Sequence, residues 1–140
     1  MNGQEGKCSL ILNDVYVKSI DFRRNRDFSD DEINLDFKIG SKIEKSEDDR
    51  SCEANIHVVI KDNNEKIHID VEYVGVFGID NLAGLNKGQQ EYIMKKSTLA
   101  ILFPFVRSFI TTITSQTGIK PIILPPININ ALMEKSNKDD

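Results

Sequence analysis

The architecture of the chain follows from one stretch, CEANIHVVIKDNNEKIHIDVEY, which covers residues 52–73. Apolar residues occupy alternate positions on both sides of a polar turn, and many of them are β-branched. This alternation is typical of strands that have one buried face and one face in water. A two-residue loop at Asn63-Asn64 tolerates the left-handed backbone of a tight hairpin. The stretch therefore predicts a β-hairpin in which Ile60 lies opposite Ile67.

The solvated face of this hairpin carries the residues that could be catalytic groups. The predicted register sets His57 opposite Asp70, with His68 on the diagonal. Such a pair is either a catalytic His–Asp couple or an ordinary cross-strand surface pair. No nucleophile is placed beside it, so the surface pair is favoured and no catalytic residue is predicted. Cys52 and His57 point to opposite faces of one strand and the sequence contains no nucleotide or metal motif, so neither a metal nor another cofactor is expected.

Two further strands are predicted on the N-terminal side, so that residues 9–80 read as four strands. Apolar and polar residues alternate from Ile33 to Ile39. In the first strand the phase of the alternation changes near Lys18-Ser19, which indicates a β-bulge or a bend.

A long helix is predicted over residues 89–117, where apolar residues recur at helical spacing. Phe105 and Phe109 add a second apolar face. One sheet covers only one face of a helix, so we expect self-association to cover the other. Pro104 lies inside the helix and is expected to kink it, and Gly118 suits the position just after its end.

The four prolines all lie in the last third of the chain, and three of them fall in the apolar loop 119–129. Proline excludes a central strand or helix there. A loop with this many apolar residues must either pack against its own sheet or bind another molecule, and both alternatives stay open. Asn130 is a candidate cap for a short helix over 130–136, and residues 137–140 read as a polar tail.

The composition limits the class of protein. The chain has 140 residues and a formal net charge of −4, which suits a single domain over 1–140 with its own core. An acidic chain argues against nucleic-acid binding. The most apolar tract, Leu99–Ile113, contains Arg107 and is shorter than the ~20 residues of a membrane helix. A polar N-terminus and only two cysteines predict a cytoplasmic protein without membrane insertion.

Four segments carry a more specific signal than periodicity. They read YVKSIDF at residues 16–22, GVFGI at 75–79, LFPFVR at 102–107 and LPPIN at 124–128, the last followed by Ala131-Leu132. In these segments the chain resembles the bacterial export chaperone SecB family, and the resemblance is most specific in the helix and the loop after it.

The resemblance implies an α+β fold: a four-stranded antiparallel sheet, a long kinked helix, a Pro-rich connecting loop and a short C-terminal helix. It also implies a homotetramer, a dimer of dimers with the long helices sandwiched between. The family holds unfolded or precursor polypeptides in apolar grooves beside the connecting loop. The groove residues expected here are Tyr16, Phe22, Ile122, Leu124 and Ile127. The residues expected in the core or the oligomer interface are Leu102, Phe103, Phe105 and Phe109.

The resemblance further implies a surface for the SecA motor on the solvated sheet face. The corresponding residues here are Ser19, Arg23, His68 and Asp70. Only Asp70 keeps the acidic character that the family has at these positions, so the acidic face is partly lost.

Three hypotheses of function result. The first is an ATP-independent holdase for unfolded polypeptides, as in SecB-dependent preprotein export. The second is a SecB-like chaperone dedicated to one partner, such as the antitoxin of a toxin–antitoxin system, which the altered SecA-facing residues favour. The third is an enzyme of hot-dog type. Here four strands precede the helix and Glu91 is the only acid near its start, so we expect no enzyme.

Overall fold

In the computed structural model, residues 9–30, 34–81 and 84–125 are described. They form β1 (Ser9–Arg24), β2 (Leu35–Lys45), β3 (Ser51–Asp62), β4 (Ile67–Asn81) and α1 (Lys87–Thr114). The strands make one antiparallel sheet in the order β1-β4-β3-β2. The predicted α+β fold, an antiparallel sheet followed by a long helix, is thereby confirmed. The short helix predicted over 130–136 and the polar tail over 137–140 lie outside the described residues.

The core lies between α1 and the face of the sheet that α1 covers. Alternate residues of β3 and β4 are buried there, as the sequence predicts, because they point towards the helix while their neighbours point to water. Full burial of a large apolar side chain is worth about 1.5–3 kcal/mol relative to exposure. The buried side chains of β3 and β4 on this face are Cys52, Ala54, Ile56, Val58, Ile60, Ile67, Ile69, Val71, Tyr73 and Phe77.

The hairpin between β3 and β4 corrects the predicted register. Ile60 lies opposite Ile69 rather than Ile67, which is a shift of two residues. The cause is the side chain of Asp62, whose carboxylate accepts hydrogen bonds from the backbone N–H of Ile67 (2.9 Å) and of the residue before it (2.6 Å). These bonds close a longer connection whose left-handed residue is Glu65, with φ of 56°. Because the shift is even, every side chain keeps its predicted face.

The bulge predicted in β1 is confirmed. The pairing of β1 with β4 shifts between Val17 and Ser19, and two more shifts occur nearer the N-terminus. A single extra residue reverses which side chains face the core. Tyr16, before the shift, therefore lies on the face turned away from α1, which we call the outer face. Phe22, after the shift, packs against the core.

Helix α1 begins with a capping box and crosses the sheet in close contact. The Asn86 side chain accepts from the N–H of Gln89 (2.8 Å), and the Gln89 side chain accepts from the N–H of Asn86 (3.0 Å). At the crossing, a β-carbon on Gly75 would lie only 3.0 Å from Leu102 Cδ1, so glycine allows the close approach. The buried residues of α1 are Met94, Thr98, Leu99, Leu102, Phe103, Val106, Ile110 and Thr114.

The helix ends at Thr114, whereas the sequence predicts 89–117. The chain then continues in tighter turns, in which the N–H groups of Gln116 and Thr117 bond three residues back at 3.1 and 3.2 Å. Gly118, which the sequence predicts just after the helix, has a left-handed backbone with φ of 86°. Pro104 lies inside α1, and the kink expected there stays a prediction.

By length and composition alone, α1 is apolar enough to cross a membrane, with a mean hydropathy of 1.4 over its most apolar window. The core helix of a soluble protein meets the same criteria. Here eight residues of α1 are buried, and the helix packs on β3, β4 and β1. This packing is that of a core helix.

Candidate functional site

The segment that follows α1 runs along the core, and its side chains alternate between buried and exposed. Ile122 and Leu124 are 7% and 0% exposed, whereas Ile123 between them is 70% exposed. Pro121 and Pro125 on either side are also exposed. The apolar loop therefore packs on its own sheet and helix, and it also presents one large aliphatic side chain to solvent.

Two threonines near the end of α1 hold this segment by its backbone. The N–H of Ile122 donates to Thr114 Oγ1 at 2.9 Å, and Thr111 Oγ1 donates to the Ile122 carbonyl at 2.8 Å. Sequence reasoning missed both threonines. The signal it could have used is two hydroxyl residues three positions apart, hence on one side of the helix, just before an apolar loop.

Of the five residues predicted to line a client groove, four are described, and these four do not share one exposed surface. Ile122 and Leu124 belong to the core, and Phe22 packs against that core. Tyr16 is 41% exposed but lies on the outer face. The bulge in β1 lies between Tyr16 and Phe22, so the two side chains point to opposite faces of the sheet. Ile127 lies outside the described residues. Ile123, which the sequence analysis did not select, is the exposed member of the loop.

Of the four residues predicted for the core or the interface, three lie in or against the core and one is exposed. Leu102 and Phe103 are buried against the sheet. Phe109 is partly buried, and its ring lies 5.8 Å from that of Tyr73. Phe105 is 39% exposed on the opposite side of the helix. The exposed apolar residues of this side, which we call the helix apolar surface, are Ala100, Ile101, Pro104 and Phe105.

Arg107 is the one charged residue between Ser97 and Gln116. Its Nε atom is buried and has no hydrogen-bond partner within the part of the chain that the structure describes. The exposed side of the second half of α1 therefore lacks the charges that a helix face in permanent contact with water usually carries.

The residues predicted to face the SecA motor do share one surface. Ser19 and Arg23 of β1 pair with Glu72 and His68 of β4, and Asp70 lies between these pairs. All of them are on the outer face of the sheet, because residues paired across neighbouring strands point the same way. The sequence analysis placed these four residues on one sheet face, and they lie there.

Three acids of the outer face, Asp21, Asp70 and Glu72, are paired within it. Arg23 binds Asp21 through two contacts of 3.0 and 3.1 Å, and His57 Nε2 lies 2.7 Å from Asp70 Oδ1. The His57 contact forms on a diagonal, because Glu72 is the residue directly opposite His57. Glu72 in turn accepts a hydrogen bond from the Asn55 side chain (3.1 Å) and lies 3.8 Å from Lys18 Nζ. Around Asp21, Asp70 and Glu72 the outer face is thus a polar surface whose acids already have side-chain partners.

Within the described ranges, no three His, Cys, Asp or Glu side chains converge as a candidate metal site. The surfaces that the geometry offers are therefore the exposed loop residue, the helix apolar surface and the outer face.

Comparison with known proteins gives the fold and the family. The fold is similar to that of a solved SecB-like chaperone of Mycobacterium tuberculosis in complex with a ChAD peptide from the HigA1 antitoxin, with a TM-score of 0.68 and 12% identity, over 85% of this chain and 88% of that one. An uncharacterised protein of Methanocaldococcus jannaschii is 31% identical over 91% of this chain and 84% of its own length. The protein-export protein SecB of Rickettsia akari is 28% identical over 94% of this chain and 90% of its own length.

The fold and these relatives define the chain as a chaperone of the SecB-like class. It belongs to the SecB family, whose model, described as preprotein translocase subunit SecB, matches residues 3–140. The resemblance found in the sequence is thereby confirmed. Family membership and the packing of α1 on the sheet make it a soluble protein.

Proposed function

We propose that the chain is an ATP-independent holdase, which binds extended segments of unfolded or precursor polypeptides and has no enzymatic activity. The observation that carries the proposal is the loop after α1, which is fixed to the core and still presents Ile123 to solvent. Burial of apolar surface is non-directional, so such a site binds many sequences with weak specificity. The similar fold of a chaperone solved with a bound peptide supports a polypeptide ligand. The proposed compartment is the cytoplasm.

The edge of β2 is proposed as the second part of this binding site. Among the described strands, β2 has a neighbour on one side only, and it pairs with that neighbour without a register shift. Leu35, Phe37 and Ile43 on its inner face are only partly buried. An extended client adds to such an edge by backbone hydrogen bonds while its side chains meet the apolar face. Of the groove residues proposed from the sequence, Phe22, Ile122 and Leu124 lie on the core side and support this site from within.

The proposed assembly is a homotetramer, built as a dimer of dimers. Such an assembly needs at least two different self-complementary surfaces on each chain. Two surfaces support it: the helix apolar surface, and the exposed edge of β1, where Ile11 is 57% exposed and Ile20 is 40% exposed. Contiguous exposed apolar residues, as on the helix apolar surface, are uncommon in monomeric proteins.

A second candidate function is a chaperone dedicated to one partner, such as an antitoxin. The observation that favours it is the outer face, where Asp21, Asp70 and Glu72 are each paired by a neighbouring side chain. A face compensated in this way attracts a basic motor segment less than an unpaired acidic face does. The partners under the two proposals are therefore precursor polypeptides with SecA, or one antitoxin.

The holdase proposal is tested by light scattering of an aggregating unfolded protein, with and without the purified chain and without nucleotide. We expect suppression at about one tetramer per client. No suppression at a tenfold excess would contradict the proposal. Repeating the assay with SecA separates the two candidates: SecA that binds the outer face and releases client favours export, whereas no SecA binding at micromolar concentration favours the dedicated partner.

A further inference from the structure

We propose that Thr111 and Thr114 are positioning residues of the client-binding surface. They fix the backbone of Ile122, and in doing so they determine that Ile123 is the side chain that contacts an apolar segment of a non-native polypeptide. The inference rests on the proposed holdase function and adds two positioning residues to it.

The first step is the completeness of the hydrogen bonding at Ile122. Its N–H donates to Thr114 Oγ1 (2.9 Å) and its carbonyl accepts from Thr111 Oγ1 (2.8 Å), so both backbone polar groups are bonded to side chains of α1. Thr114 is fully buried, and its hydroxyl donates to the carbonyl of Ile110 at 2.7 Å. Because the hydroxyl proton of Thr114 is used in that bond, its oxygen is the acceptor for the N–H of Ile122. The two threonines therefore act as one clamp with defined donor and acceptor roles.

The second step is what a fixed backbone does to the neighbouring side chains. In an extended segment successive side chains point to opposite sides. With Ile122 clamped and buried, and Leu124 buried as well, Ile123 has no direction left except towards solvent. At 70% it is the most exposed large hydrophobic residue among those described. A rotation of the segment that buried Ile123 would break both threonine bonds and expose its two buried neighbours.

The third step concerns the ligand that such a surface suits. Pro121 and Pro125 flank the clamp and are exposed, and neither has a backbone N–H to be satisfied by water. Their rings and the Ile123 side chain form an apolar strip. Within this strip the backbone N–H and carbonyl of Ile122 are already hydrogen-bonded to α1. The chemistry that fits it is an extended, apolar stretch of polypeptide, because a polar or charged ligand would lose hydration there without gaining a partner.

The test compares Thr111→Val/Thr114→Val, which keeps the shape and removes both hydroxyls, with Thr111→Ser/Thr114→Ser, which keeps them. Two quantities are measured: the exchange rate of the Ile122 amide proton by NMR, and the dissociation constant for a fluorescently labelled unfolded client. We expect the valine variant to exchange at least tenfold faster and to bind the client about tenfold more weakly, with the serine variant restoring both values. Thr112→Val, on an exposed residue of the same turn, is the matched control and leaves both values unchanged.

A valine variant that exchanges faster but binds the client as tightly as the natural chain would overturn the positioning role, and unchanged exchange would overturn the clamp. If the double variant does not fold, Thr111→Val alone and Ile123→Ser carry the test, and unchanged client affinity in both overturns the inference. Failure of the proposed function is a different result, in which the natural chain itself binds no client.

Discussion

At the scale of single residues, Gly75 sets how closely the helix approaches the sheet. The position is fully enclosed: a β-carbon there would lie 3.0 Å from Leu102 Cδ1 and 2.9 Å from Phe77 Cε1, and both of these side chains are fully buried. Neither can move without disturbing its own neighbours, because protein interiors are close-packed. The absence of one methyl group at Gly75 is thus a condition for the whole contact between α1 and β4.

Gly75→Ala is expected to lower the free energy of unfolding by about 1–3 kcal/mol, which is the usual cost of overpacking a core. Urea denaturation of both proteins measures the difference. Gly88→Ala is the control, because its β-carbon would meet nothing closer than 3.5 Å and alanine favours a helix by about 0.5–1 kcal/mol over glycine. Equal stability of Gly75→Ala and the natural chain would contradict the packing described here.

His57 and Asp70 provide a second prediction at this scale. Their contact is 2.7 Å long but the two side chains are 46% and 34% exposed, so water screens it. His57→Ala is expected to change the free energy of unfolding by no more than about 1 kcal/mol, as for other surface ion pairs, and to leave aggregation suppression unchanged. Loss of client holding in this variant, at unchanged stability, would mean that the pair is more than a surface contact.

At the scale of elements, the loop after α1 shows that a segment without regular secondary structure can be held as firmly as a strand. Its order comes from α1, through the hydroxyls of Thr111 and Thr114, and from the burial of Ile122 and Leu124. The prolines add stiffness because they fix φ and remove donors that would need partners. Stability and ligand contact are therefore divided between adjacent residues of one element.

Matched alanine variants at Ile123 and Leu124 are expected to separate these two roles. Leu124→Ala empties a fully buried position and lowers the free energy of unfolding by about 2–5 kcal/mol. Ile123→Ala changes stability by less than about 0.5 kcal/mol and weakens aggregation suppression. Thermal unfolding and client light scattering measure the two effects. An Ile123→Ala variant that suppresses aggregation as well as the natural chain would argue against contact at this residue.

The sequence predicted the elements well where the determinant is local. The alternation in β3 and β4, the phase change in β1 and Gly118 after the helix are all local patterns, and the structure has each of them. The register of the hairpin was wrong because it depends on where the Asp62 carboxylate finds donors. The candidate site was predicted only in outline. The choice of the loop side chain that is exposed depends on hydrogen bonds between the loop and α1, and sequence patterns do not show these bonds.

At the scale of the whole molecule, α1 has more apolar surface than one sheet covers. Its buried side packs on β3, β4 and β1, and its helix apolar surface stays open in the single chain. The edge of β1, which has no neighbouring strand among those described, is a second open surface. The proposed tetramer covers both.

Ile101→Asp/Phe105→Asp is expected to split the tetramer into smaller species, because two charges on the helix apolar surface cannot be desolvated without partners. Light scattering coupled to size-exclusion chromatography measures the mass. Gln116→Asp, exposed just after the end of α1, is the control for a new charge away from this surface. A tetramer that persists in the double variant would place the interface elsewhere, and a natural chain that is monomeric at micromolar concentration would contradict the assembly.

The order of the elements has a consequence for biosynthesis. All four strands precede α1, so the sheet is synthesised before the helix that covers its inner face. At roughly 5–20 residues per second, the segment from the end of β4 to residue 125 takes about 2–9 s to translate. During that interval the newborn sheet has an uncovered apolar face, so a nascent copy of this chaperone is itself a substrate of the kind that a finished copy is proposed to hold.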